Sequence, residues 1–317
     1  MSNLHTLRKE KNCLNCGAEV KETYCGACGQ LNREPQLTLK DLMHEMLHSI
    51  LHFDGKFFET IKVLITKPGF LTTEYIAGKR SKYLPPVQMY LFTSAIFFFL
   101  LYTFFLKSPS TNENWSTKEN QEINQSIKID FTNDVNKTET IQAYHQQQSV
   151  LKPEKRDGII KRYFKEEQIK LNNKFKENPR KTFTEFIDNF IHGFSSLFFI
   201  SLPLIAIWLN ILFYNKKEIN LVGHFIFITH NYIIDYIIML INIILKVPAK
   251  IKGLEFMETI AALVMFWMLY YGYASMNKFY QLSRRRAIFM YTLTLVGSLF
   301  IFALLVVVFF ILSISKI

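Results

Sequence analysis

From residue 86 onward, long apolar runs alternate with short charged breaks. Five runs, 86–106, 193–213, 221–245, 254–274 and 287–312, reach the roughly 20 residues a helix needs to cross a bilayer. A buried helix of a soluble core can be as apolar over a shorter stretch, but not five times at this length. The pattern predicts an all-α membrane protein with about five transmembrane helices, the first over 86–106 and the other four within a membrane domain at 183–317.

Ahead of the spans the period changes. Thr38-Leu39-Lys40-Asp41 has the form of a capping box, so a helix is expected to start at Thr38. At about 100° per residue, Leu39, Leu42, Met43, Met46, Leu47, Ile50, Leu51 and Phe53 cover one face. His44, His48 and His52 run along its border. This predicts an amphipathic helix lying in the membrane interface, followed by a basic membrane-proximal elbow, together spanning 37–85.

Between the first two spans lies a polar insertion, 107–182. Its first half is rich in Asn, Gln, Ser, Thr and Lys and is expected to bury little. From 154 to 178 the pattern is that of a charged helix carrying Ile159, Ile160, Tyr163 and Phe164.

Composition adds a direction. Half of the 317 residues are hydrophobic, yet 37 Lys and Arg against 26 Asp and Glu leave a net charge of +11. In a membrane chain such an excess is explained first by anionic lipid and by topology, so no nucleic-acid partner is expected. Lys79, Arg80 and Lys82 precede the first span. Lys216 and Lys217 separate the second and third, and Lys278 and Arg284–Arg286 the fourth and fifth. The positive-inside rule then puts the N-terminus in the cytoplasm and the C-terminus and the 107–182 insertion outside. Lys246, Lys250 and Lys252 run against this assignment, but the inside set is larger. The first residues carry no apolar core of a cleaved signal peptide.

All four cysteines lie between Cys13 and Cys28, as Cys13-x-x-Cys16-Gly17 and Cys25-x-x-Cys28-Gly29. Two such pairs, each followed by a turn glycine, predict a closed four-cysteine zinc ribbon over 1–36, structural and not catalytic. So short a segment holds no core without metal, so zinc binding would supply its folding free energy. Thiolate ligands also suit a reducing cytosolic side.

His44-Glu45-Met46-Leu47-His48 spells H-E-x-x-H, the zinc signature of many metalloproteases. A protease site needs a cleft and a third ligand, and nothing marks Glu59 or Glu74 for that role. The interfacial helix is the stronger reading. His44, His48 and His52 stand as a weaker second metal candidate. At the elbow, Lys67, Lys79, Arg80 and Lys82 gather between Pro68-Gly69 and Pro85-Pro86, as a site for lipid headgroups or phosphate. In the third span, His224, Asn231, Asp235 and Asn242 fall near one line, with His230 well off it. The stripe reads either as a packing seam or as an ion or proton path centred on Asp235, which Asn231 could support with an amide hydrogen bond.

The stretch FDGKFFETIKVLITKPGFLTTEYIAGKRSKYLPPVQMYLFTS, with CLNCG and YCGACGQ before it, resembles the bacterial family called domain of unknown function 3667. The resemblance implies a cytosolic zinc ribbon, a linking helix, the FDGK…KPG…GKR…PP segment and membrane spans. His44, His48, Phe53, Asp54, Gly55, Lys56, Pro68, Gly69, Gly78, Arg80, Tyr83 and Pro86 sit where such proteins carry like residues, and GHFIFITH before Asn231 fits as well. The family name supplies no activity. The sequence thus leads to an integral membrane protein with an interaction or regulatory role, with membrane lipids and a protein partner for the ribbon; self-association is compatible with it. A small transporter using the polar face of the third span is the alternative, and a membrane-embedded enzyme acting on lipid or peptide ranks below both.

Overall fold

A computed structural model describes residues 8–35, 38, 56–104, 140–249 and 256–315. The H-E-x-x-H helix, with His44, Glu45, His48 and His52, lies outside the described residues, as does the first half of the polar insertion. Beyond the ribbon the described chain is helical: α1 Lys56–Thr66, α2 Phe70–Ile76, α3 Pro86–Phe104, α4 Ile141–Val150, α5 Ile159–Glu177, α6 Pro179–Leu212, α7 Leu221–Ala249, α8 Phe256–Tyr280 and α9 Arg284–Ser315. The only bridges among the described residues, Asn12 with Glu19 and Tyr24 with Leu31, close the two ribbon knuckles.

Five helices, α3 and α6 to α9, are long and apolar enough to cross a membrane, so this is an integral membrane protein. Their ends differ from the expected ones. The second span is expected from 193, but α6 already starts at Pro179. Its first turns carry Glu185 and Asp188 between Phe183, Phe186 and Phe190. Hydropathy drops there, while nothing in the backbone stops the helix. Pro203 lies inside α6, as neighbouring spans permit in a membrane. Likewise α9 takes in Arg284–Arg286, whose charges fall outside the apolar run.

The chain divides into two compact units, Met1–Leu100 with Phe199–Ile301, and Leu101–Phe198 with Phe302–Ile317. In the first, α7 and α8 run antiparallel. Near one end His224 Nδ1 meets the Tyr280 hydroxyl at 2.8 Å, and near the other the Asn242 amide donates to the Ala261 carbonyl at 2.7 Å. Between them Phe227 stacks on Phe279, and Ile233, Ile234 and Ile238 are fully buried. The short helices α1 and α2 fold onto this pair. Tyr271 donates to the Leu64 carbonyl at 2.6 Å, Thr72 Oγ1 lies 3.0 Å from His230 Nδ1, and Tyr75 packs with Val222 and Ile226. Pro86 opens α3 at a position where its missing N–H costs nothing.

The second unit holds α4, α5 and parts of three spans. Phe186 packs edge-on to Phe310, and Tyr102 donates to the Ile191 carbonyl at 3.0 Å. The expected charged helix is α5, whereas α4 has no counterpart in the sequence pattern. Asp157 joins the two: it accepts from Tyr144 and Gln148 at 2.9 and 3.1 Å and pairs with Lys161 at 2.6 Å. Lys161 first, then Tyr144, holds this carboxyl below its ordinary range.

Candidate metal centre, its seat and the polar groups of the third span

The ribbon is built from two knuckles that repeat each other. Gly17 N donates to Cys13 O and Cys13 N to Ala18 O; twelve residues on, Gly29 N donates to Cys25 O and Cys25 N to Gln30 O. Gly17 and Gly29 adopt φ of 77° and 72°, the left-handed region that costs a side-chain-bearing residue about 1–2 kcal/mol. Each turn brings two thiols to one point. All four Sγ atoms lie within 4.8 Å of one another, with Cys13 to Cys28 and Cys16 to Cys25 both at 3.6 Å.

A tetrahedral ion with metal–sulfur bonds of about 2.3 Å separates its sulfurs by roughly 3.8 Å, so this donor set fits a metal ion. Cys13 and Cys25 are buried, Cys28 is half-buried and Cys16 is exposed. The main-chain amides of Cys28 and Ala27 bring the Cys25 thiol down to about 7. The Ala18 amide pulls Cys16 down too, but desolvation and the other three thiols outweigh it and leave Cys16 raised to about 12. Four thiols this close cannot all ionise without a cation among them.

The ribbon is seated on the elbow. Gln30 follows the second turn glycine, where the first knuckle has Ala18. Its Nε2 donates to Gly78 O at 2.7 Å, and its Oε1 accepts from the amides of Arg80 and Ser81, both at 3.1 Å. Ser81 Oγ donates to the carbonyl of the metal-site residue Cys28 at 2.8 Å, and the Arg80 guanidinium donates to Pro35 O. Gly78 has φ of 88°, and a Cβ there would stand 2.6 Å from Leu14 Cδ1. A side chain at position 78 is strained by the turn, and Leu14 of the ribbon would have to swing aside for it.

This geometry redistributes the elbow cations. Arg80 is engaged by Pro35 and Tyr75 O and stacks over the Tyr75 ring at 5.2 Å. Lys79 pairs with Glu74 at 2.9 Å. Lys67 lies over Phe70 at 5.2 Å, and Lys82 lies over Tyr83 at 5.3 Å and 4.0 Å from Glu59. Two of the four cations expected to receive headgroups thus serve the fold, and Glu59 and Glu74, the acidic residues nearest to a third-ligand role, pair with lysines.

In α7 the four stripe residues part company. His224 and Asn242 are buried and bonded to α8, as a packing seam requires. Asn231 gives its amide to Phe227 O at 2.8 Å. No Asn231–Asp235 hydrogen bond forms among the described residues: the Asn231 amide is turned back toward the carbonyl one turn before it. Asp235 is half-buried and has no hydrogen bond or ion pair among the described residues. The sequence pattern places His230 off the line; it is buried and bonded to Thr72 of α2. Nor does the pattern single out Gln30, Ser81 or the tyrosine hydroxyls, because a lone Gln and aromatic residues in apolar runs carry no periodic signal.

Residues 54–98 match the profile of a family described as protein of unknown function (DUF3667). The match covers the elbow and most of α3, and so contains Gly78, Arg80 and Ser81, the receiving side of the ribbon seat. No curated protein and no solved structure matches the chain.

Proposed function

We propose that this chain is a regulatory membrane protein of a bacterial cytoplasmic membrane. Its cytosolic ribbon holds zinc through Cys13, Cys16, Cys25 and Cys28 and acts as a clasp on the elbow ahead of the first span. One observation carries the reading. Gln30 satisfies Gly78 O and the amides of Arg80 and Ser81 at once, while Ser81 bonds back to the metal-site carbonyl of Cys28. The state of the ribbon is thereby tied to the backbone that leads into α3. The outward side of the second knuckle, where Tyr24 is 60% exposed, is free to meet a protein partner, and Lys67 and Lys82 face lipid headgroups.

The test is co-purification from membranes of the full chain, of a chain lacking residues 1–36 and of Cys25→Ser. A defined partner retained by the first and lost from both others is expected. An identical set of co-purifying proteins in all three would overturn the reading.

A further inference from the structure

Asp235 lies at the middle of α7, which runs from Leu221 to Ala249. A charged carboxylate at that depth is costly unless something neutralises it. No Lys or Arg pairs with it among the described residues. The histidines of its own helix are directed elsewhere, His224 to Tyr280 and His230 to Thr72.

Its neighbours along α7 carry paired hydroxyls. One turn before it, Tyr232 bonds Ser201 of α6 at 2.6 Å. Next to it, Tyr236 bonds Tyr90 of α3 at 3.2 Å. Farther around, Tyr271 of α8 gives its hydroxyl to the Leu64 carbonyl at 2.6 Å, and the Tyr291 hydroxyl of α9 lies against Gly272. Three spans, α3, α6 and α7, therefore meet in hydroxyl pairs beside Asp235. A core built only to pack would use Phe for these tyrosines and Leu for the aspartate.

We propose that Asp235 anchors an intramembrane site for one monovalent cation, a proton or an alkali metal ion, among the Tyr232–Ser201 and Tyr236–Tyr90 hydroxyl pairs. One carboxylate among neutral oxygens balances a single positive charge, whereas divalent ions are held by several carboxylates or keep their water. The site stands apart from the ribbon and does not depend on the clasp.

The experiment is labelling of the purified full chain in lipid nanodiscs with dicyclohexylcarbodiimide. This apolar reagent adds to a protonated carboxyl group in the membrane and leaves a stable N-acylurea. The site of labelling is mapped by peptide mass. An adduct on the peptide containing Asp235, forming several-fold more slowly as pH rises, is the expected result and identifies proton occupancy. Further slowing by sodium or potassium at constant pH and ionic strength identifies an alkali ion as the occupant. Asp235→Asn should lack that adduct; should the variant not assemble, the wild-type map alone decides. No adduct on that peptide at any pH, or labelling indifferent to pH and to both ions, would overturn the proposal.

Discussion

Gln30 has both atoms of its amide engaged by the elbow, whereas Asp235, in a far less forgiving medium, has no hydrogen-bonding partner among the described residues. The first is a neutral side chain at a junction near water, where each hydrogen bond adds only about 0.5–1.5 kcal/mol and several must be gathered to fix a geometry. The second is a carboxylate in mid-span, where a charge left alone costs more than such a bond returns. Matched polar groups hold parts together; an unmatched one at depth marks a place where something else binds. The difference sorts the stripe of the third span as well: the Asn242 amide is matched, His224 is matched at Nδ1 but not at its buried Nε2, and Asp235 has no match among the described residues.

The largest break in this contrast comes from the metal. Stripping it, or replacing Cys25 by Ser, removes a contribution that in zinc-finger peptides reaches about 10–16 kcal/mol. Amide protection across residues 8–35 is expected to vanish, while that of α7 and α8 stays. Hydrogen exchange read by mass spectrometry on the two forms checks this.

Next in size is Gly78→Val. The left-handed backbone at Gly78 and the approach of Leu14 together set an expected loss of about 1–3 kcal/mol of ribbon docking. Exchange at the Ser81 amide should rise accordingly, with zinc content unchanged. Loss of zinc along with the seat would instead mean that the ribbon cannot fold away from the elbow.

Asp235→Asn sharpens the comparison by reversing the sign. Removing the charge should leave melting in detergent unchanged at low pH and raise it by a few degrees at high pH. It is the carboxylate, present at high pH, and not the acid that burial penalises. A fall in melting temperature at every pH would show that Asp235 has a bonding role. The smallest effect is expected of Lys82→Ala. Its 4.0 Å contact with Glu59 is exposed on both sides, so its loss should cost about 0–1 kcal/mol. The amount of anionic lipid that co-purifies with the chain should fall modestly, as lipid mass spectrometry would show.

These outcomes depend on residues that differ in how openly the sequence displays them. The Cys-x-x-Cys-Gly repeat announces itself because thiol chemistry and a left-handed turn each demand one residue type at one spacing. The five spans are legible because bilayer thickness sets their length. Their ends are not, as α6 shows, since a helix continues until its backbone is stopped and not until its side chains turn polar. Gln30 cannot be read as the clasp from sequence. Its three bonds reach residues 48 to 51 positions away, and only the folded turn at Gly78 presents them together. Asp235 is visible as an ionisable residue in an apolar run, but the hydroxyl pairs beside it draw on two other helices, α3 and α6.

The clasp is tested most directly by exchange at two amides, those of Arg80 and Ser81, in the zinc-loaded full chain and in Gln30→Ala. Loss of the shared acceptor leaves both N–H groups without it, a change of about 1–3 kcal/mol, so exchange at both positions should accelerate about five-fold or more while the ribbon keeps its zinc. Equal exchange in the two proteins would contradict the account, because the ribbon would then be resting on the elbow without holding it.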